Sequence, residues 1–123
     1  MKFFKCDICG NFVEMVKESG VSMMCCGQKM TELLPGTSDG AHEKHVPVYS
    51  VNGNTVSIQV GSTEHPMMEG HYIVFIAVET DRGAYRITRK PGDAPKAELT
   101  LADGEIVLGV YAYCNLHGLW KAV

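Results

Sequence analysis

The stretch VPVYSVNGNTVSIQV, residues 46–60, decides the fold class of this chain. Two six-residue segments rich in valine and other β-branched residues flank the tripeptide Asn52-Gly53-Asn54. β-Branched side chains favour extended backbone, and glycine beside asparagine favours a tight turn between two strands. The stretch therefore predicts a β-hairpin.

Strand and turn segments continue from this hairpin to the end of the chain. About seven strands at a spacing of roughly 8 to 12 residues are typical of an antiparallel β-sandwich, and helical periodicity is absent. We therefore predict an all-β fold. The later strand segments are HYIVFIAVET (71–80), AYRITR (84–89), KAELTL (96–101), IVLGVYAYC (106–114) and LWKAV (119–123).

The N-terminal segment has too few apolar residues to build a core of its own. It contains three brief extended segments, FFK, FVEMV and VSMM, and is followed by LPGTSDGAHEK, a linker or crossing loop. Fewer than about 40 residues rarely fold alone without a metal, a disulfide or a partner. We predict a small domain over residues 1–36 and a sandwich domain over residues 37–123.

Composition excludes several classes of function. The chain has 123 residues and a formal net charge of −3, which argues against nucleic acid as the main partner. No apolar run reaches the ~18 to 20 residues of a membrane span, so no membrane partner is expected. The start, MKFFKCDICG, lacks the pattern of a secretory signal, and we therefore expect a cytoplasmic protein.

Four of the five cysteines crowd into the first quarter of the chain. A Cys-x-x-Cys turn presents two thiolates to one cation, and a second pair completes a tetrahedron. Disulfides are disfavoured in a reducing compartment, and adjacent cysteines bridge each other only with strain. Glycines that follow each pair permit the bent backbone of such turns. This pattern predicts a metal site for which zinc and iron fit equally well by ligand type. The four cysteines are Cys6, Cys9, Cys25 and Cys26.

A second group of metal-ligand residues lies in the strand-rich part, where strands meet loops. Any one histidine there could be an ordinary surface or core residue. Cys114 and His117, however, stand three residues apart across a tight turn, and at that spacing one ion can take both. Spacing alone therefore indicates a second metal site. Its candidate ligands are His45, His65, His71, Cys114 and His117.

Several motifs in order together resemble desulfoferrodoxin, the two-iron family of superoxide reductases. They are CDIC…CC, GTSDGAHEKHVPV, EHPMMEGHY, KPGDAP and YCNLHGLWKA, and they span nearly the whole chain. The resemblance implies a desulforedoxin-like domain with an Fe(Cys)₄ centre. It also implies a seven-stranded immunoglobulin-like sandwich with an Fe(His)₄Cys centre, in which the four histidines are equatorial and Cys114 is axial.

The resemblance also implies an activity and its partners. The expected reaction is the one-electron reduction of superoxide to hydrogen peroxide, with a rubredoxin-like electron donor, as a protection against oxidative stress. Glu43 and Lys44 match the family's mobile loop pair beside the open iron position. Lys44 is expected to attract the superoxide anion, and Glu43 to close the open position on ferric iron and help to expel product.

Two other interpretations remain open from the residues. The chain could be a rubredoxin-like electron-transfer protein carried on a structural sandwich, or a structural module with zinc in both sites. Zinc is possible in the N-terminal site under any interpretation. A homodimer is expected, because a domain this small must cover apolar residues such as Phe3, Phe4 and Val13.

Overall fold

The computed structural model describes residues 1–123, which form two units, Met1–Leu34 and Pro35–Val123. Nearly all regular structure in both units is β-strand. The prediction of an all-β fold is therefore confirmed, with a four-cysteine site in the first unit and packed sheets in the second.

A three-stranded antiparallel sheet forms the larger part of the first unit. Its central strand β1 (Phe3–Lys5) pairs with β2 (Phe12–Glu14) on one side and with a strand at Thr31–Leu33 on the other. A two-stranded hairpin, β3 (Met24–Cys25) and β4 (Gln28–Lys29), precedes that last strand, β5.

The third predicted strand, VSMM, is displaced. Only Met24 of that segment is in a strand, and two further strands follow the cysteine pair. The backbone φ angles of Cys26 and Gly27 are 52° and 76°, so the chain reverses there and returns as β4. Left-handed backbone at a cysteine is uncommon, and nothing in the apolar pattern signals it.

The apolar surface of the first unit also differs from the expected one. Phe3 is buried, and its ring centroid lies 5.7 Å from that of Phe12. Phe4 and Val13 are half-buried. The large apolar side chains that the first unit exposes are others: Ile8, Val16, Val21, Met23, Met24 and Leu34.

The second unit is a sandwich of two antiparallel sheets. The smaller sheet contains the predicted hairpin, β6 (Pro47–Asn52) and β7 (Thr55–Val60), together with β10 (Lys96–Thr100), in the order β10-β7-β6. The larger sheet has the order β12-β11-β8-β9. Its strands are β8 (Ile73–Thr80), β9 (Ala84–Thr88), β11 (Val107–Cys114) and β12 (Gly118–Ala122).

The core of the second unit lies between these sheets. Every second side chain of β7 is buried, as the period of a half-buried strand requires. These side chains pack against alternate residues of β8 and β11. Full burial of each valine or isoleucine contributes about 1.5–3 kcal/mol. The core includes Val56, Ile58, Val60, Ile76, Val78, Val110, Ala112 and Cys114.

One helical turn, α1 (His42–His45), interrupts the predicted crossing loop. The amide of Val46 donates to the carbonyl of His42 at 3.0 Å and closes the turn. Four residues cannot display a 3.6-residue periodicity, so the sequence pattern does not reveal this helix. The helix is far too short to cross a bilayer, and it is the only one in the chain.

Candidate metal centres

The sulfur atoms of Cys6, Cys9, Cys25 and Cys26 lie within 4.8 Å of one another. The sulfurs of Cys9 and Cys25 are 3.6 Å apart, and the five cysteines of the chain form no disulfide. The arrangement is the one that a single tetrahedral ion requires of four thiolates. The structure therefore brings together all four cysteines that the sequence assigns to the first site.

Backbone amides surround the sulfurs of this first group. The amide of Cys9 donates to the sulfur of Cys6 at 3.5 Å, and the amide of Asn11 to the sulfur of Cys9 at 3.4 Å. Amide donation from Cys9 and Ile8 lowers the pKa of Cys6 to about 6, so this thiol ionises readily. Hydrogen bonds with Cys9 and Cys6 raise the pKa of Cys26 to about 12, because neighbouring sulfurs share protons. A cation among them would replace those shared protons.

The second group is built at three neighbouring strand ends and on two other segments. Cys114 ends β11, His117 immediately precedes β12, and His71 lies two residues before β8. In the ladder Cys114 pairs with both Gly118 and Ile73, so these three positions meet at one edge of the larger sheet. His45 ends α1, and His65 lies in the loop after β7.

The four imidazole rings form a closed square. Neighbouring ring centroids are 4.7 Å apart for His45–His65 and His65–His71, 5.0 Å for His71–His117 and 4.9 Å for His117–His45. Each neighbouring pair meets edge-on, with interplanar angles between 70° and 81°. His45 and His71 face each other across the square at 6.3 Å. Rings around one ion adopt this kind of arrangement, with each nitrogen directed inward.

Four donor atoms, one each from His45, His65, His71 and Cys114, lie within 4.8 Å of one another. His117 is not among these four, and it joins the group through its ring contacts. Its Nδ1 atom is 2.8 Å from the carbonyl oxygen of Asp39.

Carbonyl oxygens also orient the rings of His45 and His65. Nδ1 of His45 donates to the carbonyl of Ala41 at 2.7 Å, and Nδ1 of His65 to that of Pro66 at 2.6 Å. The proton on each Nδ1 leaves a lone pair on Nε2, and these two Nε2 atoms are only 3.3 Å apart. Two lone pairs at that distance repel each other unless a cation lies between them.

The Nε2 atom of His71 provides an independent test of the fit. It is buried and has no hydrogen-bond partner, although a buried polar atom without a partner costs about 1–3 kcal/mol. A metal ion would satisfy it, together with the facing nitrogens of His45 and His65. The donor set of imidazoles and one thiolate suits iron. The residues present therefore fit a metal ion.

Burial favours the neutral form of three of the imidazoles, which is the form that binds a metal ion. It lowers the pKa of His65 to about 4 and also lowers the pKa of His45 and His71. The positive charge of Lys44 also lowers the pKa of His71.

Cys114 is fully buried, and burial raises the pKa of its thiol. The amide of His117 donates to its sulfur at 3.4 Å and acts in the opposite direction. Amides directed at a sulfur stabilise a thiolate ligand. The cysteine thus has the surroundings of a metal ligand, with a thiol that ionises when a metal binds.

Glu43 and Lys44 are exposed on the helical turn that leads to His45. The resemblance implies a mobile loop pair here, and in the structure hydrogen bonds join this turn to residues 61–63. The carbonyl of Glu43 accepts the amide of Thr63 at 2.8 Å. Gly61 has a φ angle of 83°, and a Cβ atom there would lie 2.6 Å from the carbonyl oxygen of Lys44. Only glycine allows this approach.

Trp120 and Gly40 lie beside the four histidine rings, and the sequence motifs assign neither of them a role. Trp120 is buried, its ring centroid is 5.0 Å from that of His45, and its indole N–H donates to the carbonyl of His117 at 2.9 Å. A Cβ atom on Gly40 would lie 3.1–3.2 Å from Trp120, His117 and His45. Trp120 is the only tryptophan of the chain and follows His117 by three residues, which is the one signal that could have indicated it.

Comparisons with known proteins agree along the whole chain. The family described as Desulfoferrodoxin matches residues 37–123, and the one described as Desulfoferrodoxin, N-terminal domain, matches residues 1–33. The desulfoferrodoxin homolog of Archaeoglobus fulgidus is 46% identical over 99% of this chain and 96% of its own length. The desulfoferrodoxin of Nitratidesulfovibrio vulgaris is 46% identical over 98% of this chain and 94% of its own length.

Two solved structures of similar proteins are those of superoxide reductases. The superoxide reductase from Treponema pallidum has a TM-score of 0.83 and 34% identity, and the match covers 99% of this chain and 98% of that one. A one-iron superoxide reductase from Giardia intestinalis has a TM-score of 0.55 and 38% identity over 65% of this chain and 95% of its own.

Proposed function

The chain belongs to the desulfoferrodoxin family, and we propose that it is a superoxide reductase, which adds one electron and two protons to superoxide and releases hydrogen peroxide. The closed square of four imidazoles, with a buried unpartnered nitrogen on His71, is the observation that carries this proposal. An electron-transfer protein that used only the four cysteines would not need such a group.

We assign one iron ion to each group of residues. Cys6, Cys9, Cys25 and Cys26 would hold the first, for which zinc is the alternative. Iron bound at the second group would supply a one-electron couple for the reduction of superoxide. The proposed ligands of this second iron are His45, His65, His71, His117 and Cys114.

The protein's own residues would prepare the second site for an anionic substrate. Burial favours the neutral form of His45, His65 and His71, and the amide of His117 donates to the sulfur of Cys114. Lys44 is the exposed cation on the turn beside the cluster, and we assign it the attraction of superoxide. Glu43, its neighbour, is the carboxylate that we expect to close the open position after turnover and to displace product.

The proposal extends to partners and location. We propose a rubredoxin-like protein as electron donor, a role in protection against superoxide, and a cytoplasmic location, which five cysteines without a disulfide support. We also propose a homodimer and a domain boundary after residue 36. Val16 and Val21 of the first unit are 92% and 77% exposed, and such side chains favour burial against a second chain.

Metal content and reactivity test the proposal together. Iron and zinc are measured per chain in freshly purified protein, and superoxide is generated by pulse radiolysis over the reduced protein. We expect iron at the second site, a rapid bimolecular reaction with superoxide, and hydrogen peroxide as the product. A second site that takes zinc alone, or an iron-loaded protein that does not consume superoxide, would contradict the proposal.

A further inference from the structure

Asn115 makes three hydrogen bonds to one short segment of another loop. Its amide N–H donates to the carbonyl of Tyr72 at 3.2 Å, and its side-chain Oδ1 accepts the amide of Tyr72 at 2.9 Å. Its side-chain Nδ2 donates to the carbonyl of Gly70 at 3.1 Å. The partners are 43 and 45 residues away in the sequence.

These bonds enclose His71, because Gly70 and Tyr72 are its two neighbours in the chain. A pair of backbone hydrogen bonds between Met68 and His71, at 2.9 and 3.1 Å, closes the rest of this turn. Asn115 itself directly follows Cys114 and lies two residues before His117. One side chain therefore connects the segment of His71 to the segment of Cys114 and His117.

The sheet ladder makes this connection only in part, since its last pair between β8 and β11 is Ile73 with Cys114. The register of this ladder shifts between Tyr113 and Cys114, and no pair of the ladder includes His71 or Tyr72. The side chain of Asn115 supplies hydrogen bonds to Tyr72 and Gly70 beyond that last pair. Backbone conformation does not explain the asparagine either, since the φ angle of Asn115 is not positive and the residue is not needed for a left-handed turn.

We propose that Asn115 is a positioning residue of the second metal site, which holds His71 at the distance from Cys114 and His117 at which all three bind one ion. This inference rests on the proposed function, since it assumes that the second group takes a metal. Asn115 touches no reacting atom and acts through the backbone on both sides of His71. Partners that orient metal ligands from outside typically contribute 10- to 100-fold to metal affinity.

Two substitutions and a control test the role. Asn115→Ala removes both side-chain hydrogen bonds. Asn115→Asp keeps the shape and the acceptor for the amide of Tyr72, but it replaces the donor to Gly70 with a carboxylate oxygen. Asn54→Ala is the matched control, because Asn54 also donates its side-chain amide to a distant turn residue, Asp103, but lies in the β6–β7 hairpin turn.

The measurements separate the two centres within one chain. Iron affinity at each centre is followed by competition with a chelator, and hydrogen exchange is followed at the amide of Tyr72. For Asn115→Ala we expect about 10- to 100-fold weaker iron binding at the second centre, an unprotected Tyr72 amide and an unchanged first centre. Asn115→Asp should keep the Tyr72 amide protected and should bind iron more tightly than Asn115→Ala. Asn54→Ala should match the wild type in both measurements.

Each contrary outcome has one meaning. Wild-type iron affinity in Asn115→Ala, with or without a protected Tyr72 amide, overturns the positioning role. Equal iron loss at both centres in Asn115→Ala would indicate general unfolding, and the inference then fails unless Asn115→Asp folds and differs from the wild type at the second centre alone. A wild-type protein that binds iron but ignores superoxide contradicts the proposed function, while the affinity comparison remains decisive for Asn115.

Discussion

Main-chain carbonyls, rather than titratable side chains, orient three of the four imidazoles of the second centre. His45, His65 and His117 each direct Nδ1 at a carbonyl oxygen. A carbonyl only accepts, so each of these Nδ1 atoms is the donor. Backbone carbonyls thus leave the Nε2 atoms of His45 and His65 free to act as metal ligands.

Lys44→Ala should slow the reaction with superoxide by roughly one to two decades and flatten its dependence on ionic strength. The exposed ammonium group beside the cluster attracts an anion over a distance that salt screens. Pulse radiolysis of the reduced protein at several salt concentrations measures both effects. Lys96→Ala, an exposed lysine of β10, is the matched control and should react as the wild type does.

Glu43→Ala, on the same helical turn, should affect a different step of the reaction from Lys44→Ala. A carboxylate that acts only after turnover should leave the bimolecular step nearly unchanged and should alter the spectrum of the oxidised resting protein. A Lys44→Ala protein with the wild-type rate and the wild-type salt slope would mean that Lys44 does not steer the substrate.

Cys114→Ser should abolish superoxide reduction while the first centre keeps its metal. Serine is close in size to the buried cysteine, so the core should tolerate it, but its hydroxyl does not ionise to replace a thiolate ligand. Metal content at each centre and the visible spectrum check this expectation. Retained activity with an unchanged thiolate-to-iron absorption band would exclude Cys114 as a ligand.

At the scale of elements, a rigid sheet edge supplies three residues of the second group, and a helix and a loop supply two. Cys114, His117 and His71 stand at neighbouring ends of β11, β12 and β8, whereas His45 and His65 flank the hairpin of the smaller sheet. The square closes only when α1 lies correctly against the segment after β7, and Gly61 is the point of closest approach.

Gly61→Ala should therefore displace α1. A Cβ atom there would lie 2.2–2.8 Å from the carbonyl oxygens of Thr63, Lys44 and Glu43, and the left-handed φ angle adds about 1–2 kcal/mol of strain. We expect weaker iron binding at the second centre and a lower free energy of unfolding of the second unit, measured by denaturant titration. Gly53 also has a left-handed φ angle but open space around it. Gly53→Ala should therefore lower the free energy of unfolding by the backbone strain alone and leave iron binding unchanged.

Glu105 forms a pH-dependent contact between two segments of the second unit. It accepts the hydroxyl of Thr80 at 2.6 Å and that of Tyr85 at 3.0 Å, and so connects the β8–β9 turn to the segment before β11. The hydrogen bond from Thr80 is the main cause of its lowered pKa. The carboxylate therefore stabilises the folded state above its ordinary pKa of 4.5, and this contribution is lost as the pH falls through the lower folded value.

Glu105→Gln should remove that contribution. The difference in free energy of unfolding between wild type and variant should be constant above pH 4.5 and should shrink below it, as measured by denaturant titration across this range. Glu98→Gln, whose carboxylate accepts only the hydroxyl of Ser57 at 3.4 Å, is the control. A difference that does not change with pH would show that the Glu105 carboxylate has the same pKa folded and unfolded.

At the scale of the whole molecule, the chain combines two units with different sources of stability. The second unit has an apolar core between two sheets, whereas the first has short strands and several exposed apolar side chains. In a unit this small, metal binding supplies folding free energy that the core cannot.

Cys9→Ser should therefore loosen residues 1–34 and weaken the proposed dimer, while the second unit still reduces superoxide. Hydrogen exchange of the first unit, sedimentation and pulse radiolysis measure the three effects on one preparation. Loss of iron from the second centre in this variant would mean that the two units do not fold independently.

The sequence by itself determined the features that depend on neighbouring residues. The hairpin at 46–60, the turns of the two cysteine pairs, and the Cys114–His117 spacing all follow from local backbone preference and residue type. Strand periodicity likewise predicted which face of β7 is buried, because a half-buried strand alternates at every residue.

Tertiary structure alone decided how those residues meet. The carbonyl that orients His117 is 78 residues away at Asp39, and the amide that fixes the His71 turn is 45 residues away at Asn115. The helical turn α1 and the close approach at Gly61 likewise depend on contacts between segments that are distant in the sequence. Local propensity cannot encode such pairs, since each segment acquires its partner only when the sheets pack together.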